Sequence, residues 1–188
     1  MPAPGARPML HRRRLLAAAG VLASPLTGWA NTPPPELREE LPAARLAGQG
    51  RLRFFGLSVY DARLWLTTAP GPEPWVQPLA LELAYTRDLV GAQIAERSLT
   101  EMRRVGEVSP PQAERWLAQM RQLFPDVRAG DRITGVHRPG EGARFFLNGR
   151  RLGEVADAAF ARLFFAIWLS PRTSEPGLRA QLLGEAVR

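Results

Sequence analysis

The chain of 188 residues contains no lysine and no cysteine, and it has only two histidines. Each absence removes a class of chemistry. Without lysine there is no Schiff-base or pyridoxal-phosphate anchor. Without cysteine there is no thiolate nucleophile, no thiolate-held zinc and no disulfide. His11 lies in the charged N-terminal segment, which leaves His137 alone for any catalytic triad. His137 falls in Thr134-Gly135-Val136-His137-Arg138-Pro139-Gly140, which reads as a half-exposed strand residue running into a turn, and no G-x-S-x-G elbow accompanies it. No metal site and no cofactor are expected.

What is present is arginine. The 25 basic residues set against 18 acidic ones give a net charge of +7. Arg7, Arg12, Arg13 and Arg14 fall in the first 30 residues, leaving 21 arginines to face the 18 acids, a surplus of three. That is a weak polycation with no dense basic stripe and no recognisable nucleic-acid module, so nucleic acid is not expected as a partner.

The N-terminus reads as an address. His11-Arg12-Arg13-Arg14-Leu15-Leu16 precedes the apolar Ala17–Ala23, and Gly28-Trp29-Ala30 supplies small residues where a signal peptidase reads. Residues 1–30 are thus expected to be a cleaved signal peptide, with paired arginines of twin-arginine character. The apolar run is short and Pro25 interrupts it, which argues against a retained anchor. The expected location is periplasmic or secreted, with no membrane span after cleavage.

Residues 31–44 form a leader. Pro33-Pro34-Pro35 fits neither sheet nor helix interior, and Glu36, Glu39 and Glu40 suggest a short exposed helical turn. The domain is expected over 45–188. Gly50–Tyr60 alternates as one strand, with Arg51, Arg53, Phe55, Leu57 and Val59 on one side. Ala62–Thr67 and Leu79–Tyr85 read as two more strands. From Gly91 to Val105, Ile94, Ser98, Met102 and Val105 follow helical spacing. Ser109-Pro110-Pro111-Gln112 has the spacing of a capping box and opens a helix that Pro125 stops. Asp131–Val136, Ala143–Leu147 and Arg151–Val155 return to strands, with a tight turn at Asn148-Gly149. Asp157 starts an apolar helix through Trp168, and Glu175–Gly184 makes a last short one. This order is α+β with a mainly antiparallel sheet. The aromatics Phe54, Phe55, Phe145, Phe146, Phe164, Phe165 and Trp168 are assigned to the core.

Several segments together resemble a known family. They are Gly48-Gln49-Gly50-Arg51, Phe54-Phe55, Val59-Tyr60-Asp61-Ala62, Leu64-Trp65-Leu66, Tyr85, Arg87, Ile94–Met102, Phe124-Pro125-Asp126-Val127, Gly130-Asp131, Phe145–Gly149 and Asp157–Leu169. In this order they look like the bacterial chalcone isomerase-like family, whose members are typically exported. No single motif is specific; their order is. The resemblance covers roughly residues 45 to 184 and implies an open-faced β-sandwich, a large antiparallel sheet with helices packed against it. Ser170 departs from the glycine that relatives often carry there.

The family's catalytic set carries over only in part. Its arginine corresponds to Arg51, with Arg53 close behind, and its helix lysine to Arg97. The strand threonine becomes Phe55, the helix tyrosine Ile94, the helix asparagine falls near Glu101, and the late threonine near Ile167. Two cations remain and the hydroxyls are lost. Loss of even one oxyanion donor costs about a hundred- to a thousandfold in rate, so chalcone cyclisation is not expected and no catalytic residue is assigned.

Non-catalytic plant members of the superfamily bind fatty acids, with a tyrosine at the head group that Ile94 replaces here. The resemblance therefore implies an apolar cleft for a fatty acid or similar hydrophobic anion, with Arg51, Arg53, Arg97, Phe55, Ile94 and Glu101 as ligand-binding residues. Arginine's fork of donors suits a carboxylate. The same arginines also read as ordinary surface ion pairs, Arg97 with Glu101 one turn later. Two other functions compete. An isomerase acting on another substrate would use Tyr60, Tyr85 or Glu101 for proton transfer. An accessory protein would present an exposed aromatic such as Trp75 to a protein partner.

Overall fold

A computed structural model describes residues 32–185; the basic and apolar segment assigned above to a signal lies outside them. Six antiparallel strands form one sheet in chain order: β1 (Arg45–Phe54), β2 (Leu57–Leu66), β3 (Leu79–Tyr85), β4 (Arg132–Arg138), β5 (Gly142–Leu147) and β6 (Arg150–Val155). Helices α2 (Gly91–Val105), α3 (Pro110–Leu123), α4 (Ala158–Leu169) and α5 (Pro176–Leu183) gather on one face. The sheet is open rather than closed into a barrel, as the α+β reading expected.

The hydrophobic pattern sets this arrangement. Ala62, Leu64 and Leu66 of β2, with Leu79, Leu81, Leu83 and Tyr85 of β3, point to the helical face and are buried there. They meet α4, in which Phe160, Ala161 and every residue from Leu163 to Leu169 are buried while Arg162 is exposed. Phe124, Phe145, Phe160 and Phe164 form the centre, with ring centroids 5.1 Å apart for Phe124–Phe145 and 5.2 Å for Phe145–Phe164. Asp157 caps α4 by accepting from the Phe160 amide at 3.0 Å. The Ser109 amide donates to Gln112 Oε1 at 3.0 Å, closing the expected box at α3.

Two glycines let α5 approach β1. A Cβ on Gly48 would lie 2.2 Å from the Gln181 carbonyl oxygen, and one on Gly50 would lie 2.7 Å from Leu178 Cδ1. The Gly-x-Gly segment is thus a helix-packing contact.

The structure corrects four expectations. Gly50–Tyr60 is not one strand: Phe55 and Gly56 form a two-residue turn with φ of 48° and 78°, and β1 and β2 are the arms of a hairpin. Phe54 and Phe55 are exposed rather than core. The leader is not an exposed turn. Helix α1 (Leu37–Glu40) lies on the second face of the sheet, where Leu37, Leu41 and Ala44 pack with Trp65, Ala80, Val136 and Phe146. Glu36 is buried there, accepting from Thr134 Oγ1 and from Arg132 Nη2 at 3.2 Å. His137, expected to be half-exposed, is buried; its Nε2 donates to the Trp75 carbonyl at 2.8 Å and its ring lies 5.2 Å from that of Phe165.

Candidate functional site

A cavity of about 160 Å³ opens between the sheet and helices α2 and α4. Leu52 of β1, Val59 and Tyr60 of β2, Leu83 and Tyr85 of β3 and Ile133 of β4 form its floor. Ile94, Arg97, Ser98 and Glu101 of α2 form one wall, and Phe164, Ile167 and Trp168 of α4 form the other. Leu89 and Phe124 close the remaining side.

Local sequence explains how α2 reaches this place. Leu89 and Val127 exchange backbone hydrogen bonds, each at 2.9 Å, so the segment before α2 is held to the segment after α3. Gly91 then starts the helix against that segment, where a Cβ would lie 2.1 Å from the Phe124 carbonyl oxygen. Ile94, Arg97 and Glu101 follow at three- and four-residue spacing and share one helix face.

The polar groups are few. Trp168 Nε1 donates to the Tyr60 hydroxyl at 2.8 Å. The Tyr60 and Tyr85 rings meet edge to face at 5.9 Å. Burial drives both phenols well above their ordinary ionisation range, so they are neutral at physiological pH. The Glu101 carboxylate is buried and lies 2.7 Å from Arg97 Nη2 and 3.2 Å from Arg104 Nε. Both arginine side chains are largely exposed, and Arg97 is the one that lines the cavity. Its Oε1 meets Arg97 at ion-pair distance but has no aligned hydrogen bond.

Of the residues singled out from sequence, Ile94, Arg97 and Glu101 line this cavity together. Arg51 lies across the sheet, pairing with Asp61 through Nε and through Nη2 at 2.8 Å. Arg53 and Phe55 stand at the exposed end of the β1–β2 hairpin. Tyr60, Tyr85 and Glu101, the candidates for proton transfer, share the cavity. Trp75 is half-buried against the core, in a short 3₁₀ turn at Pro74–Val76, and does not offer an exposed contact. Sequence reasoning did not assign Leu52, Ile133 or Trp168 to the site. The only signal for them was their place on inward faces of separate strands and of α4.

Among the described residues no group of three metal-ligating side chains gathers, and no helix is long and apolar enough to cross a membrane.

The architecture is that of an open-faced antiparallel sheet with helices on one side. The chain belongs to the chalcone isomerase-like family, whose sequence pattern it matches over residues 40–184. Among solved structures it is similar to a fatty-acid binding protein of Arabidopsis thaliana, with a TM-score of 0.61 and 13% identity, over 75% of this chain and 87% of that one. That likeness concerns the fold. No curated protein matches the chain.

Proposed function

We propose that this protein binds a fatty acid or similar hydrophobic anion, without catalysis, in the cavity between the sheet and helices α2 and α4. The observation that carries the reading is the pairing of an apolar interior with an arginine, Arg97, in its lining. The walls are Leu, Ile, Phe, Trp and Tyr side chains, which favour an aliphatic chain over water. At the rim the largely exposed Arg97 pairs with the buried Glu101 carboxylate, which places a cation beside the opening. Arg97 uses one corner of a guanidinium that carries five N–H donors, so the others can meet a ligand carboxylate. The fatty-acid binding named for the plant structure of the same fold supports the same class of ligand.

Size limits the ligand. A volume of about 160 Å³ lies below the range of roughly 300–1,000 Å³ typical of sites that enclose drug-sized molecules. The cavity thus takes a short acyl chain, or part of a longer one whose remainder emerges at the rim.

The test is extraction of the purified protein followed by mass spectrometry, with calorimetric titration of dodecanoate. Binding that weakens about tenfold or more in Arg97→Ala is expected, the loss of a charge-assisted contact. An empty protein that takes up no dodecanoate refutes the reading.

One observation favours a second reading, an isomerase: Tyr60, Tyr85 and Glu101 line the same cavity. The raised phenol ionisation makes the tyrosines donors rather than bases at neutral pH and leaves Glu101 as the base. Turnover of any substrate that disappears in Glu101→Gln would establish it. Export to the periplasm or beyond belongs to the same proposal and rests on the N-terminal sequence alone.

A further inference from the structure

We infer that the tip of the β1–β2 hairpin docks on an anionic lipid surface. Among the described residues there are five large exposed hydrophobic side chains, and three of them, Phe54, Phe55 and Leu57, are at this tip. Phe55 is 90% exposed.

The fold itself shows that turn formation does not require these side chains. The β5–β6 hairpin makes a turn of the same kind with Asn148 and Gly149, at φ of 51° and 87°. Asparagine tolerates that left-handed backbone, and an aromatic residue does so less readily. Phe55 occupies the equivalent position at φ 48°. It gains no core contact there, its ring meeting only that of Phe54 at 4.5 Å. An exposed pair of phenylalanines, with Phe55 in an unfavourable backbone conformation, has no folding rationale, whereas interfacial insertion gives it one.

Charge selects the occupant. Arg53 flanks the aromatics, and Arg87 follows β3 at the same end of the sheet, where the Thr86 amide donates to the Val59 carbonyl. Neither arginine has an ion-pair partner among the described residues. The nearby Asp61 is held by Arg51, and Asp88 accepts from the Ala129 amide at 2.9 Å. Apolar side chains flanked by two unpaired arginines match a bilayer with anionic head groups. Leu52 and Val59, in the arms of the same hairpin, line the cavity, so docking sets the cavity beside the lipid. This loading role rests on the ligand-binding reading; docking does not.

The absence of native cysteine makes the test specific. The full chain carrying Phe55→Cys is labelled with a nitrobenzoxadiazole dye, and a second chain is labelled at Glu114→Cys on the exposed side of α3. Each is mixed with vesicles of equal parts phosphatidylglycerol and phosphatidylcholine. The label at 55 is expected to shift blue and be quenched by spin-labelled lipid, and the label at 114 is not. Adding Arg53→Glu, a change of two charge units, is expected to weaken the response about twenty-five-fold, at about fivefold for each unit near the surface. An unchanged spectrum at 55 overturns the proposal. So does a shift that grows with protein concentration without lipid and accompanies a dimer in sedimentation, which gives the tip to a second copy. Dodecanoate titration of the same chains separates the two ideas: uptake without docking removes this one, and docking without uptake removes the ligand reading.

Discussion

Trp168 Nε1 donates a 2.8 Å hydrogen bond to the Tyr60 hydroxyl, fastening α4 to β2 across the wall of the cavity. Tyr60→Phe keeps the ring but leaves the indole N–H without its acceptor. A loss of about 1–3 kcal/mol is expected, measured by urea unfolding. An unchanged midpoint would mean that the indole finds another acceptor or water.

Glu101 holds Arg97 and Arg104, and a bound carboxylate would compete with it for Arg97. Glu101→Gln removes that competitor and its negative charge. Dodecanoate is therefore expected to bind several-fold more tightly to this variant, as measured by calorimetry. Weaker binding would show that Glu101 serves the ligand in another way.

The helical part of the site was legible in the sequence and the strand part was not. The family resemblance singles out Ile94, Arg97 and Glu101, and their helical spacing then carries all three to one face. Arg51 looks equivalent in sequence, but the side of a strand residue depends on register. The turn at Phe55-Gly56 lacks the asparagine that identified the turn at Asn148-Gly149, and Val59 is an extra residue where the register shifts. Alternation counted straight through both features therefore grouped Arg51 with Val59. Leu37 and Leu41 of the leader, four apart behind three prolines, were too few to signal a buried helix.

Gly48 is required by contact with α5. Gly48→Ala would drive a methyl group against the Gln181 and Leu182 carbonyls. A loss of about 1–3 kcal/mol is expected in thermal or urea unfolding, because backbone has to shift. Wild-type stability in this variant would show that α5 is free to move away.

The leader contributes to stability through a buried charge. Glu36→Ala removes the acceptor for Thr134 and Arg132 and leaves them beneath α1. Arg132 keeps Glu82 at 3.8 Å, so the main cost is the buried Thr134 hydroxyl left without its acceptor, about 1–3 kcal/mol, again measured by urea unfolding.

His137 makes stability depend on pH. Its Nε2 carries the proton given to the Trp75 carbonyl, and Nδ1 is buried without a partner. Burial lowers its ionisation below the ordinary value, against the opposing bond to Trp75. The unfolded chain then binds a proton at a pH where the folded chain does not, so stability falls as pH drops through about 6.5. The fall ends once the folded imidazole also protonates. His137→Gln keeps a donor for Trp75 and is expected to flatten this dependence in urea unfolding between neutral and mildly acidic pH.

Filling the cavity tests the central claim most directly. Ile94→Trp places a larger side chain in the wall of the space between α2 and the sheet. Calorimetric titration of dodecanoate into this variant, with folding checked by circular dichroism, is expected to show no binding where the wild type binds. Equal affinity in the two folded proteins would contradict the account and place the ligand elsewhere.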